Sequence, residues 1–449
     1  PELLETLKIS LPLSRRDPHY FLPTPDRRFL LLGSDGEANV KALSEFASDA
    51  DAAAAEALDA ELSALRDDIA PAWLAEPMPL EETAERYVRP ELRQAFVDLV
   101  RGSAIEYLER FGFTDDTLVA MYAATDGMPG LTGSPDSPGS GHNMLVHNMC
   151  RLPGSDGTWM AVAGGMGTVT GTLAEAATRA GAEIRTNAEV LRIDTAGGSA
   201  TGVLTAAGEA IGASAVLVST DPLRIPTLLS HACPPALAER VGVWARASEG
   251  QTMKVNLALR GLPTFAALPD ERGQHGTTVH LLPPPAHDGS VLTAARAAYA
   301  AAAEGRLDAV PPLEWYLTGL TDDAGNTASG MFVQGVPHSP SGSTWSAEKD
   351  GYVAKLLDAV AVYVPDLHER LVDVHALTPP EIADHFGISS ANIDHVDNSF
   401  AFTERMPYRV GVDGVYAGSA GCHPAGSVIG CAGHNAAQAI LADMGRPTS

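Results

Sequence analysis

The stretch Gly414-Val415-Tyr416-Ala417-Gly418-Ser419-Ala420-Gly421-Cys422-His423-Pro424-Ala425-Gly426-Ser427-Val428-Ile429-Gly430-Cys431-Ala432-Gly433-His434-Asn435-Ala436-Ala437 decides how this sequence is read. Gly414 to Ala417 is a buried strand by its short apolar run. Ser419 to Gly430 is dense in small residues. Ala432 to Met444 continues as a helix, with Ala436, Ala437, Ile440 and Leu441 on its inner side. A glycine-rich turn between a strand and a helix lets the backbone approach a ligand closely. It also aims free amides and the positive end of the helix dipole at an electron-rich atom.

A second turn of this kind lies upstream. Trp159 to Ala163 reads as a strand, Gly164-Gly165-Met166-Gly167 as a turn and Thr168 to Ala180 as a helix ending at Gly181. Its Gly165-x-Gly167-x-x-x-Gly171 spacing is one residue off the dinucleotide fingerprint. The following strand, Glu183 to Arg185, is polar and has no acidic residue at its carboxyl end. A helix-entry turn is the better reading. Val190 to Ile193 and Thr201 to Leu204 flank Gly197-Gly198 as a hairpin, and Ala215 to Ser219 suits a buried strand.

Outward from there the signals are plainer. Residues 7 to 33 read as strands, as in Leu7 to Leu11 and Phe29 to Leu32. Ser48 starts a helix in which Leu58, Leu62, Leu65 and Ile69 recur at helical spacing until Pro71. Further helices are expected at Glu81–Val88, Pro90–Val100, Ala104–Phe111 and Asp115–Ala124, and a Gly/Pro/Ser-rich loop at 126–141. Lys254 to Leu259 is a strand and Ala347 to Val364 a helix. Between 250 and 400 no sharp motif stands out, and no internal repeat is present.

Composition bounds the rest. A 449-residue chain with 45% hydrophobic content supports two domains with real cores. Its net charge of -26 repels phosphate backbones and anionic lipid, which argues against nucleic-acid partners. Cys150, Cys233, Cys422 and Cys431 form no C-x-x-C pair, so neither a disulfide framework nor a metal site is indicated. No run is long and apolar enough for a transmembrane segment. A reducing compartment is expected from the cysteines, the cytoplasm for a bacterial source.

The Ser419–Ala437 stretch closely resembles the C-terminal flavin signature of the phytoene-dehydrogenase-like, carotenoid desaturase-like FAD-dependent oxidoreductases, a G-x-G-x-H-P-G-G-G-V-x-G-x-x-G-x-N-A-A pattern. Gly421, His423, Pro424, Gly426, Val428, Gly430, Gly433 and Asn435 match it, while Ser419, Ala425 and Ser427 stand where it has glycine. Pro18-His19-Tyr20-Phe21, the Ser134–Gly141 loop, Gly164–Gly167, Val190–Ile193, Val218-Ser219-Thr220 and Lys254–Leu259 carry the resemblance along nearly the whole chain.

The resemblance implies FAD as cofactor and, for a eukaryotic source, the mitochondrial matrix as compartment. It places Val190 at the adenine, Ser219 and Thr220 near the diphosphate, Val428 and Ile429 at the flavin pyrimidine edge, and Gly421, Gly426 and Gly430 in the turn beneath the ring. It also implies an α/β fold with a Rossmann-like FAD-binding domain of the amine-oxidase and phytoene-desaturase type and a mixed-sheet, helix-capped substrate domain. The parts expected are 1–150 and 250–404 for the substrate domain, and 151–249 and 405–449 for the FAD domain. The family's opening strand, G-x-G-x-x-G turn and helix have no counterpart in these residues. The expectation is an incomplete FAD domain, completed by a missing N-terminal segment or a companion chain. The implied activity is FAD-dependent dehydrogenation or desaturation of an apolar small molecule, with an unassigned electron acceptor. The rival is a silent scaffold that has lost the flavin.

Among single residues, His423 is the candidate catalytic group because an imidazole beside a flavin can tune it or move a proton. A hydrogen bond holding the His-Pro turn explains it as well. His142 and His147 are candidates for the pocket wall, and Asp397 and Asn398 stay ambiguous between site and core.

Overall fold

A computed structural model describes the chain at residues 1–155 and 157–446, without the side chains of 318–320. Its strands are β1 (Leu13–Arg15), β2 (Tyr20–Pro23), β3 (Phe29–Leu32), β4 (Met160–Val162), β5 (Val190–Ala196), β6 (Ser199–Thr205), β7 (Ala210–Gly212), β8 (Val216–Val218), β9 (Met253–Arg260), β10 (Thr278–Leu281), β11 (Leu313–Thr321), β12 (Asn326–Val333), β13 (Leu371–Leu377) and β14 (Val415–Ala417). The fold is α/β, with a mixed sheet, a helical layer and a smaller parallel pair.

The largest sheet has the order β13-β9-β12-β11-β10-β2-β3 and is antiparallel except for the β10–β2 pair. Its strands alternate at period two, which gives the sheet two unlike faces. On one face Phe21, Val255, Val279, Trp315 and Met331 are fully buried against the helix Trp345–Ala361. Each such side chain contributes roughly 1.5–3 kcal/mol by leaving water. The other face carries Lys254, Thr278, His280, Glu314, Tyr316 and Tyr20, with His280 opposite Glu314 and Thr278 opposite Tyr316. Polar groups on a central sheet are costly unless they are partnered or face a cavity. Here they face a cleft.

The helical layer follows the sequence closely. Ser48 caps the helix Asp49–Trp73, its hydroxyl accepting from the Asp51 amide at 3.1 Å. Leu58, Leu62, Leu65 and Ile69 are all buried. Pro71 does not end this helix as expected. Only two residues follow the proline, Ala72 and Trp73, and both are held in the core. The helices Leu80–Tyr87, Arg93–Arg101, Ala104–Glu109 and Asp116–Thr125 lie where they were expected. Leu7 to Leu11 is not a strand. A helix, Glu2–Leu7, comes first, and the extended segment β1 pairs with β4. A helix at Ser140–His147 also takes over the end of the Gly/Pro loop.

The third unit contains β5, β6 and β7 as an antiparallel sheet, and β8 with β14 as a parallel pair. Ile193, Val218, Ile225, Trp244, Val415 and Ala436 belong to its common core. β14 is buried throughout, as expected. β8 is not, since Leu217 is 43% exposed. A parallel strand is covered only when neighbours flank it, and within the described residues β8 has a strand on one side only. Glu183 to Arg185 forms no strand, as its polar side chains find no sheet to join. The helix Met166–Arg179 has no buried residue, and Met166 is 55% exposed.

Candidate functional site

The turn between β14 and the helix Cys431–Asp443 is held from below by one cation. Arg405 is 1% exposed. Its guanidinium donates to the carbonyls of Ala420 and Cys422 at 2.8 and 3.1 Å, and to those of Val396 and Phe400 at 3.0 and 2.9 Å. It also donates to Asn398 Oδ1 at 3.0 Å. The planar fork of five donors thereby ties the 394–400 loop to the glycine-rich turn. Asp397 and Asn398 are thus part of the frame: Asp397 Oδ2 accepts from the Thr132 amide at 2.8 Å, and Asn398 Nδ2 donates to Asn143 Oδ1 at 2.8 Å.

A second set of bonds ties the turn to the helical layer. Tyr408 donates its hydroxyl proton to the His423 carbonyl at 2.6 Å and accepts from Asn435 Nδ2 at 2.8 Å. Asn435 Nδ2 also reaches the Trp73 carbonyl at 3.0 Å. Asn435→Ala leaves these buried acceptors without a donor and is expected to cost about 1–3 kcal/mol. Urea unfolding of the variant against the parent checks this.

His423 is buried behind the turn, and its Nε2 faces the Ala72 carbonyl at 3.0 Å. A carbonyl only accepts, so Nε2 carries the proton. Burial pushes the ring down to about 3, so it is neutral at physiological pH. His423 is not part of the cleft wall. His142 is likewise buried, with Nδ1 donating to the Asn398 carbonyl at 2.7 Å. His147 does line the cleft.

The cleft encloses about 890 Å³ and lies between the helical layer and the polar face of the large sheet. Ser427 and Val428 form part of its wall. Both have positive φ, 72° and 55°, and Val428 is 70% exposed. A β-branched residue in that region is strained by roughly 1–3 kcal/mol, a feature that concentrates at ligand sites. Ser219 and Thr220 follow β8 directly, so they share the carboxyl end of the β8–β14 pair with the start of the turn. In open parallel sheets that is the ligand end. Val190 stands at the open end of the β5–β6 hairpin, 37% exposed. Gly421 and Gly426 are buried, Ile429 is half-buried, and Gly430, at φ 70°, is exposed at the helix entrance. The Gly165–Gly171 turn has open space at Gly165, Gly167 and Gly171.

Sequence reading missed the floor of the cleft. Its signal was the alternation in Met253-Lys254-Val255-Asn256 and Leu313-Glu314-Trp315-Tyr316, polar residues at every second place in otherwise apolar strands. Glu314 accepts from the Tyr316 hydroxyl and from Gln334 Nε2, and burial pushes its carboxyl up to about 7. Asp126 and Asp394, also at the cleft, are raised to about 7 by burial as well. Asp394 therefore holds a proton in the fold at pH values where the unfolded chain has released it, so its ionisation lowers stability as pH rises from about 4 to 7. Asp394→Asn is expected to match the parent near the lower limit of that window. It should become progressively more stable than the parent towards the upper one, as read from urea midpoints across the range.

The thiols of Cys422 and Cys431 are pushed up to about 12 and about 11 by burial, and all four cysteines are free. Among the described residues no His, Cys, Asp and Glu cluster is arranged for a metal ion, and no helix is long and apolar enough to cross a membrane.

The family model for flavin-containing amine oxidoreductases matches residues 8–245, more than half of the chain. The chain belongs to that family. This flavin-containing amine oxidoreductase is FAD-dependent. A putrescine oxidase bound to putrescine superposes with a TM-score of 0.52 at 14% identity, covering 99% of this chain and 84% of its own. An oxidoreductase from Methanosarcina mazei superposes at 0.51 and 14% identity, covering 80% and 74%. At such identity these structures speak for the fold alone. In sequence, a mouse protein called pyridine nucleotide-disulfide oxidoreductase domain-containing protein 2 is 28% identical over 491 positions, covering 98% of this chain and 82% of its own length. An uncharacterized protein of Mycobacterium tuberculosis is 28% identical over 482 positions, covering 96% and 83%.

The glycine-rich turn fits such a cofactor. A Cβ on Gly426 would stand 2.6 Å from Asp394 Oδ1, so only glycine lets the turn lie this close to the floor of the site. The strained Ser427-Val428 pair lies at the cleft rather than in the core.

Proposed function

We propose that this flavin-containing amine oxidoreductase dehydrogenates or desaturates a small molecule held in the 890 Å³ cleft. The observation that carries the reading is the exposure of Val428 at the cleft wall, on the turn that matches a flavin signature. When bound, FAD supplies a two-electron acceptor for a hydride from a substrate C–H bond.

The chain's own residues then position and shield. Amides at Val428, Ile429 and Gly430, beside the dipole of the helix Cys431–Asp443, meet the ring edge. Gly421 and Gly426 keep the turn thin beneath it. Ser219 and Thr220 sit near the diphosphate, and Val190 near the adenine. His423 is a positioning residue, holding the turn against Ala72 while staying neutral. Leu43, Leu58, Leu62 and Met121 give the cleft an apolar wall that excludes water from a greasy substrate. Residues 151–249 and 405–449 form the FAD domain in this reading, and 1–150 with 250–404 the substrate domain. The exposed helix Met166–Arg179 and Leu217 are suited to the flank of a further strand-turn-helix unit that completes the dinucleotide site.

The test is an absorption spectrum of the full-length protein, purified without added FAD. The visible bands of an oxidised flavin support the enzyme, and a folded, colourless protein supports the scaffold reading and overturns this one. Val428→Asp places a charge where the ring edge would lie. Because the side chain is exposed, the variant is expected to fold normally and lose the flavin.

A further inference from the structure

We propose that the sheet floor of the cleft is a binding site for a carboxylate, so that the substrate carries this group on an otherwise apolar body. The inference rests on reading the cleft as the substrate site. Two cations meet there with their donors largely unused. Arg16 donates from Nη1 to Thr278 Oγ1 at 2.6 Å and, among the described residues, forms no direct ion pair. Lys254 comes from β9 on the same face. Its ammonium lies 5.8 Å from the Tyr316 ring centroid and has no hydrogen-bond acceptor among the described residues. Room for it is made by Gly330 on β12, where a Cβ would stand 2.7 Å from the Lys254 nitrogen.

Around these cations two imidazole nitrogens are also unsatisfied. Nδ1 of His280 and Nδ1 of His19 are buried without a partner. His280 is 6% exposed and stacked on Tyr20 at 3.9 Å between ring centroids. Burial holds both rings below their usual range, helped by Arg15 and Arg16 beside His19 and by Arg16 beside His280, so each is neutral and, in the tautomer protonated at Nδ1, offers an N–H to an anion. Glu314 attracts both cations but, among the described residues, forms no direct ion pair with either. Glu314 is occupied by Tyr316 and Gln334, and it and Asp126 sit at about 7. The floor is therefore a desolvated guanidinium and an ammonium that share one buried carboxyl, itself engaged by Tyr316 and Gln334, and it is rimmed by imidazoles whose Nδ1 atoms lack a partner.

The ligand that meets all of these is a planar anion. A guanidinium fork matches a carboxylate in two parallel hydrogen bonds. An ammonium group would instead lie against Arg16 and Lys254 as a like charge. A phosphate monoester would bring a second negative charge towards Glu314 and Asp126. The opposite wall, with Leu43, Leu58 and Met121, receives the apolar remainder.

The test is calorimetric titration of the FAD-loaded protein with decanoate, decanol, decylamine and decyl phosphate, probes that share one chain and differ in the head group. Decanoate is expected to bind at least about tenfold tighter than each of the others, and Arg16→Met to weaken decanoate by about 10- to 100-fold while leaving decanol unchanged. Lys254→Met provides a second variant with the same pattern at smaller size, should Arg16→Met fail to fold. Equal binding of decanol, tighter binding of decylamine or decyl phosphate, or no binding of any probe overturns the carboxylate site. The flavin spectrum of the same samples is read separately. A protein that takes up no FAD yet still prefers decanoate overturns the enzyme reading alone, and a yellow one without that preference overturns only this inference.

Discussion

Arg405→Met is expected to lower the unfolding free energy by about 3–5 kcal/mol, the cost of breaking a buried charged hub by removing one side of it. The methionine fills similar volume but donates nothing. The carbonyls of Val396, Phe400, Ala420 and Cys422 would then be left in the interior without the donors they have now. Asp394 and Asp397, whose ionised forms the guanidinium favours, would lose that support as well. Because the lost bonds join two loops, the glycine-rich turn should loosen before the large sheet does. Two measurements check this: the urea midpoint, and the fraction of flavin retained on gel filtration. Arg405→Lys is expected to fall between, since a single ammonium keeps the charge but cannot reach both loops. A variant as stable as the parent would show that the hub is replaceable by packing.

That hub was invisible in the sequence, and the reason is physical. Arg405 sits in no motif, and its partners are backbone carbonyls from 394 to 422, atoms common to every residue type. The glycine-rich turn was legible because small residues in that density have few other uses, and the helix Asp49–Trp73 because its cap and its leucine spacing agree. The strand expected at Glu183–Arg185 failed for the opposite reason. A strand needs a neighbour, and a local pattern does not say whether one is present. The cleft floor lay between these cases: Lys254, His280, Glu314 and Tyr316 come from three strands far apart in sequence, and only the register of β9, β10, β11 and β12 brings them to one face. Period-two alternation marked each as the odd residue in an apolar strand. The shared destination could not be read before the sheet order was known.

Gly421→Val is expected to separate flavin binding from folding. A Cβ at residue 421 would stand 2.7 Å from Pro222 Cδ, closer still to its Cγ, and 3.1 Å from Val396 Cγ2. Pro222 is a poor neighbour to crowd, since its ring is rigid and opens the turn Pro222–Arg224, which Asp221 caps through the Leu223 amide at 3.1 Å. The strain of roughly 1–3 kcal/mol must therefore move one loop off the other. The two loops are the one following Ser219 and Thr220 and the one leading to Val428, the proposed diphosphate and ring-edge contacts. A shift that a core tolerates is large for a site whose contacts must all be met at once, and misplacement on the order of 1 Å suffices to lose most of the binding. Flavin affinity is expected to fall by at least about tenfold, about 1.4 kcal/mol, while the far-ultraviolet circular dichroism is unchanged. Gly351→Ala is the matching control: it lies in the helix Trp345–Ala361 with open space around its Cβ, and should gain up to about 1 kcal/mol from helix propensity with the flavin undisturbed. If Gly421→Val keeps the flavin at the parent's affinity, the 219–220 and 421–430 loops do not hold one ligand between them.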